Sequence, residues 1–215
     1  MVSPLSKRGA QAPPLRERGF SMTEALVVMA IFAIMLAISL PQFLTYETNF
    51  TTDTVSKQVV DVVRFAHQQA LGERQRMRIE LTPGTAGQPG TIEVVDEGTV
   101  SAGAADDEVV RTERLPPGNE ISFAKPTGVD VPSSPFNFSA AVYSSGRFVI
   151  YFNPIGTSSG SNVDVPKSAT IFVAPTGTSS ASPNVDLVRA ITIFGPTGSI
   201  RLWGYEPSSG TFVKR

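Results

Sequence analysis

Polar and apolar positions divide the chain into three textures. Residues 1–19 are polar and proline-bearing and carry Lys7, Arg8, Arg16 and Arg18. From Phe20 to Leu40 the chain is apolar apart from Ser21, Thr23, Glu24 and Ser39, and the run stops at Pro41. At about 1.5 Å per residue a helix of this length crosses a hydrocarbon core of about 30 Å, which places a membrane span at 20–43. Pro41 removes one helical hydrogen bond and should loosen the helix without ending it. Beyond it, Val55, Val59, Val62, Val63, Ala66 and Ala70 recur at spacings of three and four, with Lys57, Asp61, Arg64 and Gln68 between them. That pattern is one apolar stripe. It predicts a single long helix from about Ser21 to Leu71, ended by Gly72.

After Gly72 the pattern changes to short β-branched and aromatic runs separated by Gly, Pro, Ser and Thr. Strands are expected at Met77–Leu81, Thr91–Val95, Val109–Leu115, Glu120–Phe123, Phe148–Phe152, Ala169–Val173, Val188–Phe194 and Ile200–Trp203. Few helical signals interrupt them. The expected fold is therefore α+β, a long N-terminal helix packed against an antiparallel β-sheet head. The domains read as a leader over 1–19, the helix over 20–72 and a β-rich head over 73–215. A repeat, Pro154-Ile155-Gly156, Pro175-Thr176-Gly177 and Pro196-Thr197-Gly198, suits type I turns with proline second and glycine fourth, in a meander of hairpins.

Charge and chemistry then narrow the function. The four leader cations precede the apolar run, so the positive-inside rule keeps the N-terminus in the cytoplasm and puts the head outside. The formal net charge is −1, and loss of a leader carrying four cations against Glu17 would leave a mature chain near −4. Such a chain is ill suited to general polyanion binding. There are no cysteines, which excludes disulfides and thiolate metal sites. His67 is the lone histidine, so no triad or histidine metal site is available, and it reads as a structural residue on the flank of the helix stripe. Phe65 reads as core. The glycine-containing loops 84–90 and 156–160 lack a following Lys-Ser/Thr and helix, so they are not phosphate cradles. Asp106-Asp107-Glu108 lacks EF-hand spacing and reads as a solvated acidic loop. No acid pair or activated nucleophile is present; the expectation is no enzyme, no cofactor and no metal.

Glu24 is the exception within the apolar run. A carboxylate near hydrocarbon costs about 2.5–3.5 kcal/mol on insertion scales and calls for a partner. No Lys, Arg or His lies on the run, and a cut after Gly19 would create the nearest cation, an amine on Phe20 that could reach the Glu24 of a neighbouring copy.

Gly19-Phe20-Ser21-Met22-Thr23-Glu24 followed by an apolar helix resembles the class III signal of type IV prepilins and type II secretion pseudopilins. The resemblance implies cleavage between Gly19 and Phe20 by a membrane aspartyl prepilin peptidase and N-methylation of Phe20. It also implies that Glu24 neutralises a neighbour's terminal amine during filament assembly, and that Pro41 is the family's helix proline. The C-terminal pattern of Phe152 to Gly156, Ala169 to Val173, Arg189 to Phe194 and Thr197 to Arg201 is similar to the GspH/FimT group of minor pseudopilins and minor pilins. What this implies is a structural subunit of a type II secretion pseudopilus in the inner membrane, with other pilin or pseudopilin subunits and the peptidase/methyltransferase as partners. A type IV minor pilin for pilus assembly, twitching or DNA uptake, and a non-assembling membrane-anchored β-domain, are the alternatives. Some FimT-like members bind DNA through Gly-Arg-x-Arg; here Gly198-Ser199-Ile200-Arg201 lacks the first arginine. Arg201, Lys214 and Arg215 thus read first as a solvated strand end and second as a nucleic-acid contact. A secretory signal peptide fits less well, because the apolar core exceeds the usual 7–15 residues or so and Ala37-x-Ser39 is a poor cleavage site. A plain anchor leaves the Gly-Phe placement unexplained.

Overall fold

The computed structural model describes residues 21–84, 90–98, 107–116, 123–132, 143–144, 147–160, 165–175 and 177–214. Two compact units emerge, Met1–Leu44 and Thr45–Arg215. The first is helical in its described part. Helix α1, Met22–Glu73, begins there, and all of residues 21–40 are solvent-exposed.

The second unit comprises the remainder of α1 and, among the described residues, ten strands. The stripe Val55, Val59, Val62, Val63, Ala66 and Ala70 is completely buried, as its spacing predicts. Burial of each valine contributes on the order of 1.5–3 kcal/mol. The helix runs past Gly72 to Glu73, and Arg74, not glycine, takes the left-handed φ of 57° that follows it.

Strands β1 (Met77–Thr82), β2 (Thr91–Asp96), β3 (Glu108–Arg114), β4 (Tyr143–Ser144), β5 (Arg147–Phe152) and β6 (Ser158–Ser159) form one antiparallel sheet. Its order is β3-β2-β1-β5-β4, with β6 also on β5. Along β1, Met77, Ile79 and Leu81 face the core and Arg78 and Glu80 face outward, the period of two that fixes register. A second antiparallel sheet has the order β10-β9-β8-β7. It contains β7 (Ala169–Val173), β8 (Arg189–Phe194), β9 (Ser199–Glu206) and β10 (Thr211–Lys214). β7 is buried on both faces, which explains its unbroken apolar sequence. Ile171, Val173, Ile191 and Ile193 join the core formed with α1 and the first sheet. Phe172 and Ala190 face a second cluster with Val129, Val188, Trp203 and Phe212.

Seven of the eight expected strands are present. Most of Glu120–Phe123 lies outside the described residues, and Phe123 itself is a buried core residue outside any strand. β4, β6 and β10 were not expected. The two serines of β6 carry no apolar signal, yet both are buried against β5.

The Pro-x-Gly repeat is three different turns. At Asn153–Gly156 the Gly156 N–H donates to the Asn153 carbonyl at 2.9 Å, with proline second and glycine fourth as expected. At Pro175–Thr178 proline is first and Gly177, third, has φ 78°, because the Thr178 N–H closes the turn on Pro175. The third turn starts one residue earlier, at Phe194, whose carbonyl accepts from both Thr197 and Gly198.

Candidate functional site

The residues of α1 at the head of the apolar run carry the N-terminal signal. Gly19 and Phe20 lie outside the described residues. Ser21 caps α1: its Oγ accepts the Glu24 N–H at 3.2 Å, and its carbonyl accepts the N–H groups of Glu24 and Ala25 at 3.0 and 3.1 Å. Ser21-x-x-Glu24 is therefore a capping-box sequence with its serine half formed. Its spacing was legible in the sequence but was overshadowed by the apolar run. Glu24 is exposed in the first helical turn, where the helix dipole favours a carboxylate. From Met22 to Leu40, 19 residues are apolar enough to cross a membrane, and none of that surface is buried within the protein. The helix continues through Pro41.

The second unit shows three polar arrangements. On the outer face of the first sheet, Glu97 is fully buried and pairs with Arg76 at 3.0 Å and Arg78 at 2.7 Å. Arg78 also reaches Glu80 at 2.8 Å and Asp107 at 3.1 Å, while Arg76 stacks over the Tyr151 ring. Burial pushes the Glu97 carboxyl above its ordinary range despite the two guanidiniums, and burial with the Glu97 charge raises Tyr151. Arg78 is raised as well, because hydrogen bonds to Glu97 and Asp107 outweigh its desolvation. This corrects the expectation of a solvated acidic loop: Asp106 lies outside the described residues, Asp107 is tied to Arg78, and Glu108 opens β3. Among the described residues no three His, Asp or Glu side chains are placed to hold a metal.

His67 is structural. Its Nε2 lies 3.1 Å from the Gly156 carbonyl and its ring 5.1 Å from that of Phe152. Phe65 packs against the core edge beneath the Arg111 guanidinium.

Arg201 and Lys214 are both exposed, and Arg215 lies outside the described residues. They line a groove of about 550 Å³ with Lys57, Val60, Asp61 and Arg64 of α1 and with Ile200 and Leu202. The helix cations were not linked to the strand cations in the sequence, where more than a hundred residues separate them.

Residues 14–40 match the prokaryotic N-terminal methylation motif. The chain is prepilin-like at its N-terminus. The matched segment contains Gly19, Phe20 and Glu24 and ends just before Pro41. No curated protein matches the chain. Among solved structures, the type IV minor pilin FimU of Pseudomonas aeruginosa, strain PAO1, aligns at 15% identity over 76% of this chain and 91% of its own, with a TM-score of 0.45. The α+β architecture stands on the helix and the two antiparallel sheets themselves.

Proposed function

We propose that this prepilin-like chain is a non-catalytic minor subunit of a pilin-like filament, the pseudopilus of a type II secretion system. The observation that carries this reading is the coincidence of the methylation motif over 14–40 with a fully exposed apolar helix whose first turn holds Glu24. The leader holds the N-terminus in the cytoplasm and the apolar helix retains the chain in the inner membrane with the head outside. The prepilin peptidase cuts between Gly19 and Phe20, and Phe20 is N-methylated. In the filament the apolar surface of 22–40 is covered by neighbouring helices. Glu24 of one subunit meets the Phe20 amine of the next, which removes the cost of about 2.5–3.5 kcal/mol for an unpaired carboxylate in an apolar surround and fixes the axial register.

The test compares Glu24→Ala with the unaltered protein in cells assembling the filament. The variant is expected in the membrane fraction, at normal abundance, and missing from sheared filaments. Equal incorporation of the variant would leave a membrane-anchored β-domain that does not assemble. Deleting the gene is expected to block secretion of type II substrates and leave pili intact. Loss of piliation or twitching with secretion unaffected would place the subunit in a type IV pilus.

A further inference from the structure

We propose that β3 is a guarded edge: Gln58, the Arg111–Glu113 pair and a bulge at Val110 stop a second copy of this chain from adding its own β3 to the first sheet. Edge strands offer backbone donors and acceptors to any extended chain, and folded proteins blunt them with bulges, charges turned toward the core and covering groups. β3 stands at one end of the first sheet, hydrogen-bonded to β2, and has no second strand partner among the described residues. Five of its seven residues are exposed, among them Val109 at 54% and Val110 at 39%. Such a strand is adhesive unless something opposes it. It is also self-complementary. Two copies paired antiparallel about Thr112 would set Thr112 against Thr112, each Arg111 against the second copy's Glu113, and Val110 against Arg114.

Three features oppose that ladder. The Leu115 N–H donates to the Gly90 carbonyl at 2.8 Å, so the backbone groups of Leu115 point at β2 and those of Arg114, one residue earlier, point away from it. The outward Arg114 carbonyl accepts from Gln58 Nε2 of α1 at 3.2 Å, and the same nitrogen donates to Glu113 Oε2 at 3.1 Å. α1 thus occupies one outer rung. Arg111 lies opposite Val94 but Val109 lies opposite Val95, which leaves Val110 as the extra residue of a bulge and breaks the regular spacing of outward groups. Because Val110 and Arg114 face each other in the paired register, both outer rungs are spoiled and only the Thr112 rung is left. Its hydrogen bonds cannot offset the lost freedom of association. Lastly, Arg111 and Glu113 share the sheet face of the buried Val94 and Ile92. They already satisfy each other at 3.1 and 2.8 Å, with the Arg111 guanidinium 5.0 Å over the Phe65 ring. An added strand would strip water from both, 36% and 31% exposed, and offer only an exchange of partners. In a filament that sets heads side by side, the guard leaves their contacts to side chains; that extension rests on the proposed function, and the guard itself does not.

The chain has no cysteine, so a single thiol placed at position 112 reports pairing. Opposed residues of a hydrogen-bonded antiparallel pair lie about 5.5 Å apart at Cα, within disulfide reach. The experiment oxidises the full chain carrying Thr112→Cys in an excess of non-ionic detergent and reads disulfide dimer on a non-reducing gel. With no other change, no dimer is expected beyond that given by Ser209→Cys, on an exposed turn of the second sheet. Adding Gln58→Leu with deletion of Val110 frees the Arg114 carbonyl and regularises the strand. Dimer through position 112 should then rise about tenfold or more, the change that one or two net hydrogen bonds supply, while Ser209→Cys stays at its background. Gln58→Leu with Arg111→Thr and Glu113→Val keeps the chain length and is the second variant, expected to act in the same sense. Trp203 emission shows which variants are folded. Dimer through position 112 in the otherwise unaltered chain would overturn the guard, and that arm needs no change to the guarding residues. Folded variants that gain no dimer there, or gain it equally through position 209, would overturn it too. Neither the peptidase nor a filament enters this experiment, so its failure leaves the filament reading standing.

Discussion

Gly177 and Gly198 occupy comparable places in the repeat, yet their replacement by alanine should differ in cost. Both have positive φ, 78° and 60°, so either alanine incurs about 1–2 kcal/mol for the left-handed backbone. Around Gly177 an added Cβ meets nothing within 4 Å. At Gly198 it would lie 2.5 Å from His67 Nε2 and 2.6 Å from the Gly156 carbonyl oxygen. His67 could swing aside, losing its bond to Gly156, worth about 0.5–1.5 kcal/mol. The carbonyl is backbone, so the turns at 153–156 and 194–198 must also move apart. Gly198→Ala should therefore cost about 2–4 kcal/mol and Gly177→Ala only about 1–2. For a unit of this size each kcal/mol lowers the melting temperature by roughly 2–4 °C. Trp203, the single tryptophan, is 8% exposed and donates to Thr192 Oγ1 at 2.9 Å. Its emission in detergent-solubilised full chain reports unfolding of the second unit through urea and thermal titrations. Equal losses for the two variants would refute the packing of the third turn on His67. Adding His67→Ala to Gly198→Ala should recover part of the loss and not all of it, since the Gly156 carbonyl remains.

The ion network and the helix-to-sheet contact give two further expectations. Arg78→Met strips a fully buried Glu97 of its nearer guanidinium and should cost about 3–5 kcal/mol at neutral pH. Glu97 holds its proton more tightly folded than unfolded, so its contribution to stability is full below its ordinary value of 4.5 and is lost as pH rises through the raised folded value. Removing Arg78 raises that value further, so the deficit of Arg78→Met should widen with rising pH; a deficit that is flat with pH would contradict the pairing. Asp53→Ala leaves Arg189, 4% exposed, without the 2.8 Å contact to its Nε but with the carbonyl of Asp186. Because Asp53 is 43% exposed, the loss should fall near the lower end of the 1.5–3 kcal/mol or so typical of charged hydrogen bonds, measured by the same Trp203 titration.

The parts of this structure legible in the sequence are those that repeat at short range. The stripe from Val55 to Ala70 and the alternation of Met77, Ile79 and Leu81 state which face is buried, and both lie as their periods predict. What was not legible depends on partners distant in the chain. Glu97 follows Asp96 and precedes Gly98, a context that reads as a solvated turn; its burial exists because Arg76, just before the neighbouring strand β1, and Arg78, on it, stand beside it. The four cations of the groove belong to α1, β9 and β10, and only folding sets them around Val60. β10 was missed although Thr211, Phe212 and Val213 suit a strand, because four residues near the end of the sequence make a short signal. At the N-terminus the capping box and the membrane run overlap in the same residues, and the apolar pattern masked the cap.

The most direct measurement of the filament reading is the intact mass and N-terminal sequence of the membrane-extracted chain, from cells with and without prepilin peptidase. A mature chain starting at N-methylated Phe20 only when the peptidase is present is the predicted result. A chain retaining residues 1–19 in both strains, or one cut near Leu40, would contradict it.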